Sequence, residues 1–127
     1  MAKKSGFPDT VLEAIRKDRI LGIRAGTDSP HRVIGIWAVV VDGRVFVRSW
    51  SMKPQGWWRT FVNDPQGVIL AGDREIPVRA KQTRSERLKD LVSAAYKEKY
   101  NKPGDIQYVK DMSGKKSRDT TTELILM

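Results

Sequence analysis

Four tryptophans, Trp37, Trp50, Trp57 and Trp58, fall in one short window of the chain, interleaved with Arg32, Arg44, Arg48, Lys53 and Arg59. Indole faces offer a stacking surface, and guanidinium and ammonium groups meet phosphate. The combination suits a flat, anionic ligand, either a nucleotide-like cofactor or a single-stranded nucleic acid. The competing use of such rings is to fill a small core. Other chemistries are poorly served. There is one histidine, His31, and no cysteine, so no thiolate, cysteine nucleophile or metal-ligand spacing is present, and no metal site is expected. Neither a G-x-S-x-G nucleophile motif nor a G-x-G-x-x-G or Walker loop occurs.

The residue count of 127 is that of one domain, expected to span residues 1–127 with residues 1–7 flexible. A hydrophobic content of 39% and a charged content of 31% describe a globular chain. No apolar run approaches the roughly 20 residues of a membrane helix, and the basic opening residues are followed by Phe7-Pro8-Asp9 rather than by an apolar stretch. A cytoplasmic, bacterial protein is the expectation. The net charge of +9 is scattered from Lys3 to Arg118, so it favours solubility as readily as an anionic partner.

The elements that must position the rings follow from periodicity. Asp9 is placed to cap a helix over residues 9–19, with Val11, Leu12 and Ile15 on one face. Residues 20–25 read as a strand and residues 26–30 as a loop. Residues 33–41 form an apolar strand, Asp42-Gly43 a two-residue hairpin and residues 44–50 the returning strand. Counting outward pairs Val41 with Arg44, Val39 with Phe46 and Trp37 with Arg48 on one face, setting a guanidinium beside an indole. Residues 57–63 read as a short helix. Residues 67–71 and 74–80 make a second hairpin, in which Pro77 suggests an edge strand. Thr83 and Glu86 read as a capping box for a long helix reaching Tyr100, with a stripe of Leu88, Leu91, Val92, Ala95 and Lys99. An irregular loop to Asp119 and a closing strand over residues 120–126 complete the chain. A small barrel grips a phosphorylated cofactor with basic side chains of adjacent strands and a nearby helix start. Arg32, Arg48, Ser49, Lys53 and Arg59 occupy such positions here.

In that order, Arg24-Ala25-Gly26-Thr27-Asp28-Ser29-Pro30-His31-Arg32, Ile36-Trp37-Ala38-Val39-Val40-Val41-Asp42-Gly43, Val45-Phe46-Val47-Arg48-Ser49, Gly56-Trp57-Trp58-Arg59 and Asn63-Asp64-Pro65 resemble the FMN-binding split-barrel superfamily of pyridoxamine-phosphate oxidases and deazaflavin-dependent nitroreductases. With Ala94-Ala95-Tyr96-Lys97-Glu98-Lys99-Tyr100 and Thr120-Thr121-Thr122, the chain resembles an uncharacterised bacterial group within it, domain-of-unknown-function family 2255. The resemblance implies a mainly β, α+β fold: an antiparallel split β-barrel with a short N-terminal and a long C-terminal helix. It also implies a homodimer with flavin mononucleotide (FMN) or a related flavin at the subunit interface, and a flavin-dependent oxidoreductase as the activity. Arg32, Trp37, Arg48, Ser49, Lys53, Trp57 and Arg59 would then bind cofactor. Thr27 and Asp28 stand where the deazaflavin enzymes carry basic residues, which favours FMN over deazaflavin. The alternative class is a non-enzymatic module for single-stranded nucleic acid or another polyanion, though the chain lacks an aromatic nucleic-acid signature on a strand.

Overall fold

A computed structural model describes residues 6–26, 33–50 and 56–127. Its strands are β1 (Leu21–Ala25), β2 (Ile34–Ile36), β3 (Ala38–Val41), β4 (Arg44–Val47), β5 (Gln66–Ala71), β6 (Arg74–Gln82) and β7 (Thr122–Leu126). All pair antiparallel in the order β2-β1-β5-β6-β7-β4-β3. The two end strands of this sheet, β2 and β3, are separated in sequence by Trp37 alone. The sheet therefore curls until its ends meet through one residue, giving a nearly closed split barrel. The single strand expected over residues 33–41 is two strands, because its first part pairs with β1 and its second with β4.

Both hairpins form as the turn chemistry dictates. Asp42 (φ 53°) and Gly43 (φ 72°) are both left-handed, as a primed two-residue turn requires, and the β3–β4 register is the one counted from the sequence. Pro77, however, lies in an internal strand: β6 is flanked by β5 and β7. The carbonyl of Pro77 accepts from the Met127 amide on the β7 side. A strand residue directs its N–H and C=O to the same side, so the donor Pro77 lacks would face the ladder just where β7 runs out, opposite Val78.

Among the described residues five helices flank the barrel: α1 (Asp9–Lys17), α2 (Trp57–Asn63), α3 (Glu86–Lys99), α4 (Ile106–Met112) and α5 (Lys115–Arg118). Pro8 rather than Asp9 holds the cap position of α1, and no side chain caps it. Val11, Leu12 and Ile15 are buried as expected. Phe7, within the segment expected to be flexible, is fully buried with them in the barrel core. The α3 cap is also displaced: Ser85 accepts from the Leu88 amide, while Thr83 N donates to the Thr121 carbonyl and so continues the sheet. The stretch expected as an irregular loop folds as α4 and α5.

Two apolar clusters result. One fills the barrel with Ile23, Val45, Val47, Ile69, Val78 and Leu124, closed by side chains of α1 and α2. The other lies between the outer face of β3–β4 and helices α3 and α4: Val39, Phe46, Val92, Tyr96, Tyr100, Val109 and Met112. The β3–β4 hairpin is thus buried on both faces. The core stripe of α3 is rotated from the expected one. Leu91 stays 38% exposed while Lys89, Val92 and Tyr96 are buried.

Candidate functional site

Trp37 interrupts the strand that joins the ends of the sheet, and the backbone groups left unpaired there need partners. Two tyrosines one turn apart on α3 supply them. The Tyr96 hydroxyl donates to the Trp37 carbonyl at 2.8 Å and accepts from the Arg48 amide at 3.1 Å, bridging the two strands one residue beyond their last ladder pair. The Tyr100 hydroxyl donates to the Arg19 carbonyl at 2.7 Å and accepts from the Ala38 amide at 3.1 Å. Lys99 Nζ donates to the carbonyls of Ile15 and Ala38, each at 2.7 Å. Burial pushes the Tyr96 and Tyr100 phenols up, the latter to about 12, and pushes the Lys99 ammonium down to about 8.

Trp37 stacks on Tyr100 with centroids 4.1 Å apart and planes 5° from parallel. The Arg19 guanidinium lies over both rings and pairs with Asp105 at 2.7 Å. The expected Trp37–Arg48 pair does not form, because the Tyr96 hydroxyl occupies the space between the strands and Arg48 lies over the Tyr96 ring instead.

Arg48 is 2% exposed. Its guanidinium donates to Thr121 Oγ1 (2.8 Å), Ser93 Oγ (2.8 Å), the Met112 carbonyl (2.9 Å) and the Lys89 carbonyl (2.7 Å). The Met112 carbonyl lies in the last turn of α4, where a cation satisfies an orphan acceptor and meets the negative end of the helix dipole. Desolvation lowers the Arg48 pKa to about 10. This arginine ties the barrel to α3 and α4. Its neighbour Ser49 is also buried, with its amide donating to Thr120 Oγ1 and its carbonyl accepting from Ser117 Oγ. On the same outer face, Arg44 grips buried Glu123 through two bonds of 2.9 and 2.6 Å, which raises the arginine pKa.

On α2, Trp57 belongs to the barrel core and meets Phe61 edge-on, so it is not an open stacking surface. Trp58 and Arg59 differ. The Arg59 guanidinium lies 5.0 Å from the half-buried Trp58 ring, is exposed, and has no carboxylate partner among the described residues. Trp58 Nε1 donates to Gln82 Oε1 at 2.8 Å, while the Thr122 hydroxyl gives its proton to the Thr120 carbonyl at 2.8 Å. The indole bond orients the Gln82 amide so that its Nε2, a buried donor, has no acceptor among the described residues.

Of the seven residues singled out in the sequence, Arg32 and Lys53 lie outside the described residues. Trp37 and Trp57 fall in or against separate clusters, Arg48 and Ser49 are engaged by protein atoms, and Arg59 alone is an exposed cation against a ring. Trp58, Gln82, Tyr96, Lys99 and Tyr100 were not singled out for binding. The spacing of Tyr96 and Tyr100 with Val92 was the available signal for the last group. Among the described residues no three His, Asp or Glu side chains converge on a metal site, and no helix is long and apolar enough to cross a membrane.

The antiparallel barrel with its flanking helices has the split-barrel fold seen in pyridoxamine-phosphate-oxidase-like proteins. A crystal structure from Listeria innocua named "Putative Pyridoxamine 5'-phosphate oxidase" superposes with a TM-score of 0.60 at 10% identity, over 94% of this chain and 90% of that one. A conserved hypothetical protein of Mycobacterium tuberculosis superposes with a TM-score of 0.58 at 14% identity, over 98% and 81%. The chain itself belongs to the family described as an uncharacterized protein conserved in bacteria, DUF2255, which matches residues 11–124. No curated protein matches its sequence.

Proposed function

We propose that this protein is a homodimer that binds FMN or a related flavin and works as a flavin-dependent oxidoreductase. The observation that carries the reading is the group formed by Trp58, Arg59 and Gln82: a ring and, among the described residues, a cation with no carboxylate to claim it and an amide donor with no acceptor. A buried donor left unmade costs on the order of 1–3 kcal/mol. The carbonyl edge of a flavin ring is an acceptor of the kind Gln82 lacks, and a phosphate suits Arg59, so the residues present fit the group. Arg32 and Lys53 would add charge toward the phosphate. When bound, the flavin would supply hydride transfer, and the chain would supply orientation and positive charge. Arg48, Ser49 and Trp57 gain no support as ligand contacts, since their polar or aromatic groups face protein.

The outer face of β2–β1–β5 supports the dimer. Ile20 is 53% and Val33 42% exposed there, beside half-buried Val68 and Leu70. A Cβ on Gly22 would stand 3.0 Å from Leu70 Cβ and 3.1 Å from Val33 Cγ1, and one on Gly35 would stand 2.6 Å from Ile20 Cγ2. Branched side chains thus lie down over the two paired glycines and make a low apolar surface, of the kind two copies can share about a two-fold axis. The nucleic-acid alternative needs exposed rings along a basic groove: Trp57 is buried, Trp37 is stacked on Tyr100, and the exposed rings Trp50 and Tyr108 meet edge-on beside the Asp111 carboxylate rather than beside a row of cations.

Titration of FMN fluorescence with purified protein tests the flavin reading. Saturable quenching is expected, weakened about tenfold by Arg59→Glu, the loss of one charge-assisted contact. No quenching by the unaltered protein at micromolar concentration overturns it.

A further inference from the structure

A cleft of about 790 Å³ opens between α3 and the α4–α5 segment, on the side of the molecule away from the barrel interior. That volume is in the range of small-molecule sites, roughly 300–1,000 Å³. Ala94, Ile106 and Val109 give it an apolar floor, and Lys97 and Lys110 stand in its wall. The acidic group in the wall, Asp90, is already held by Arg118 at 2.8 Å.

Arg48 lies behind this wall. All four of its hydrogen-bond acceptors are neutral oxygens, so a nearly inaccessible cation has no carboxylate bonded to it. Buried charges are ordinarily paired. One of those acceptors belongs to Ser93, a residue that also lines the cleft. A serine inside a helix usually returns its proton to the carbonyl four residues back. Here that carbonyl, Lys89 O, accepts from Arg48 Nη2 at 2.7 Å, and among the described residues Ser93 makes no other side-chain bond than the one it accepts. Its proton is left for the cleft, polarised by the guanidinium bonded to the same oxygen.

We infer that this cleft binds a small amphipathic carboxylate. Its apolar body would lie on Ala94, Ile106 and Val109, and its carboxylate would accept from Ser93 Oγ and pair with Lys97 or Lys110. One bound anion would satisfy the Ser93 donor and give Arg48 a counter-charge through a single intervening hydroxyl. The inference is independent of the flavin reading, which uses α2 and the end of β6.

Octanoate is the probe, followed by amide chemical shifts of the full chain, with octylammonium as the control of opposite charge. Saturable shifts at Ser93, Lys97 and Lys110 are expected with a Kd below about 1 mM. Ser93→Ala should weaken binding about tenfold. Because Ser93→Ala also removes an Arg48 partner, exposed Lys97→Glu is the second variant, expected to weaken octanoate binding at least as much with an unchanged melting temperature. Absence of saturation by the unaltered protein overturns the inference. So does equal binding of octylammonium, or undiminished octanoate affinity in Lys97→Glu.

Discussion

On the β3–β4–β7 wall of the barrel the outward side chains Val39, Phe46, Arg48 and Glu123 are all buried, whereas on the β2–β1–β5 wall outward Ile20 and Val33 remain exposed. The first wall carries its own cover. Helices α3 and α4 lie over it, and the polar groups trapped beneath them are matched one by one: Arg48 to four oxygens, Glu123 to Arg44, the interrupted strand to Tyr96 and Tyr100. The second wall has paired glycines where side chains would rise, with hydrocarbon lying over them, and its outward charge, Arg24, pairs with Glu75 at 3.5 Å beside Val68. A sheet face can be finished by its own chain or by another molecule, and the chemistry of the side chains differs accordingly. Buried polar networks specify one geometry, while a flat apolar face admits a partner.

The largest effect that could break this contrast is at Arg48. Arg48→Ala strands the Met112 and Lys89 carbonyls and two hydroxyls, which should cost about 3 kcal/mol or more. Thermal unfolding should fall by roughly 10 °C or more. From the sequence Arg48 was expected to bind cofactor, a role in which replacing it costs affinity rather than stability. A lysine cannot reproduce the forked geometry, so Arg48→Lys should also be destabilised. A variant of normal stability and tenfold weaker flavin affinity would return Arg48 to the ligand.

Tyr100→Phe should come next, at about 1–3 kcal/mol, because it leaves the Ala38 amide and Arg19 carbonyl without their partner where the sheet ends meet. Hydrogen exchange at Ala38 should accelerate in step. An unchanged exchange rate would mean the strand junction is held by something other than the tyrosine.

Lys99 gives the smallest effect, and its sign can be worked out. Its folded pKa, about 8, lies below the ordinary 10.5, so the unfolded chain binds more protons between those values and stability should rise slightly with pH from about 8. Tyr96 and Tyr100 are shifted upward from 10, so above pH 10 the folded chain holds protons the unfolded one has released, and stability should fall. Denaturant midpoints should therefore peak between these limits, and Lys99→Met should flatten the rising limb. A rise that persists in Lys99→Met would assign it elsewhere.

The sequence made the local geometry legible. Asp42-Gly43 fixed the hairpin register because a two-residue primed turn leaves no alternative count, and Val11, Leu12 and Ile15 marked the buried face of α1. What escaped it was non-local. Strand alternation put Arg48 on the same face as Val39 and Phe46, but nothing near Arg48 in the chain says that α3, more than forty residues away, covers that face. Tyr96 and Lys89 read as polar interruptions of the α3 stripe, yet each is buried because its polar tip finds a partner beneath or beside the helix. The site was only partly legible. Its rings and cations were visible, but which of them turn inward depended on the barrel closing through Trp37, and the Gln82 donor had no signature at all.

The claim that the bare wall is finished by a second copy is tested most directly by the solution mass. Light scattering on the full chain at micromolar concentration should give twice the 14.4 kDa of one chain. Leu70→Arg, which sets a charge into the apolar face, should return it to a single-chain mass with an unchanged circular dichroism spectrum. A mass of one chain for the unaltered protein at every concentration, or a dimer indifferent to Leu70→Arg, would contradict the account.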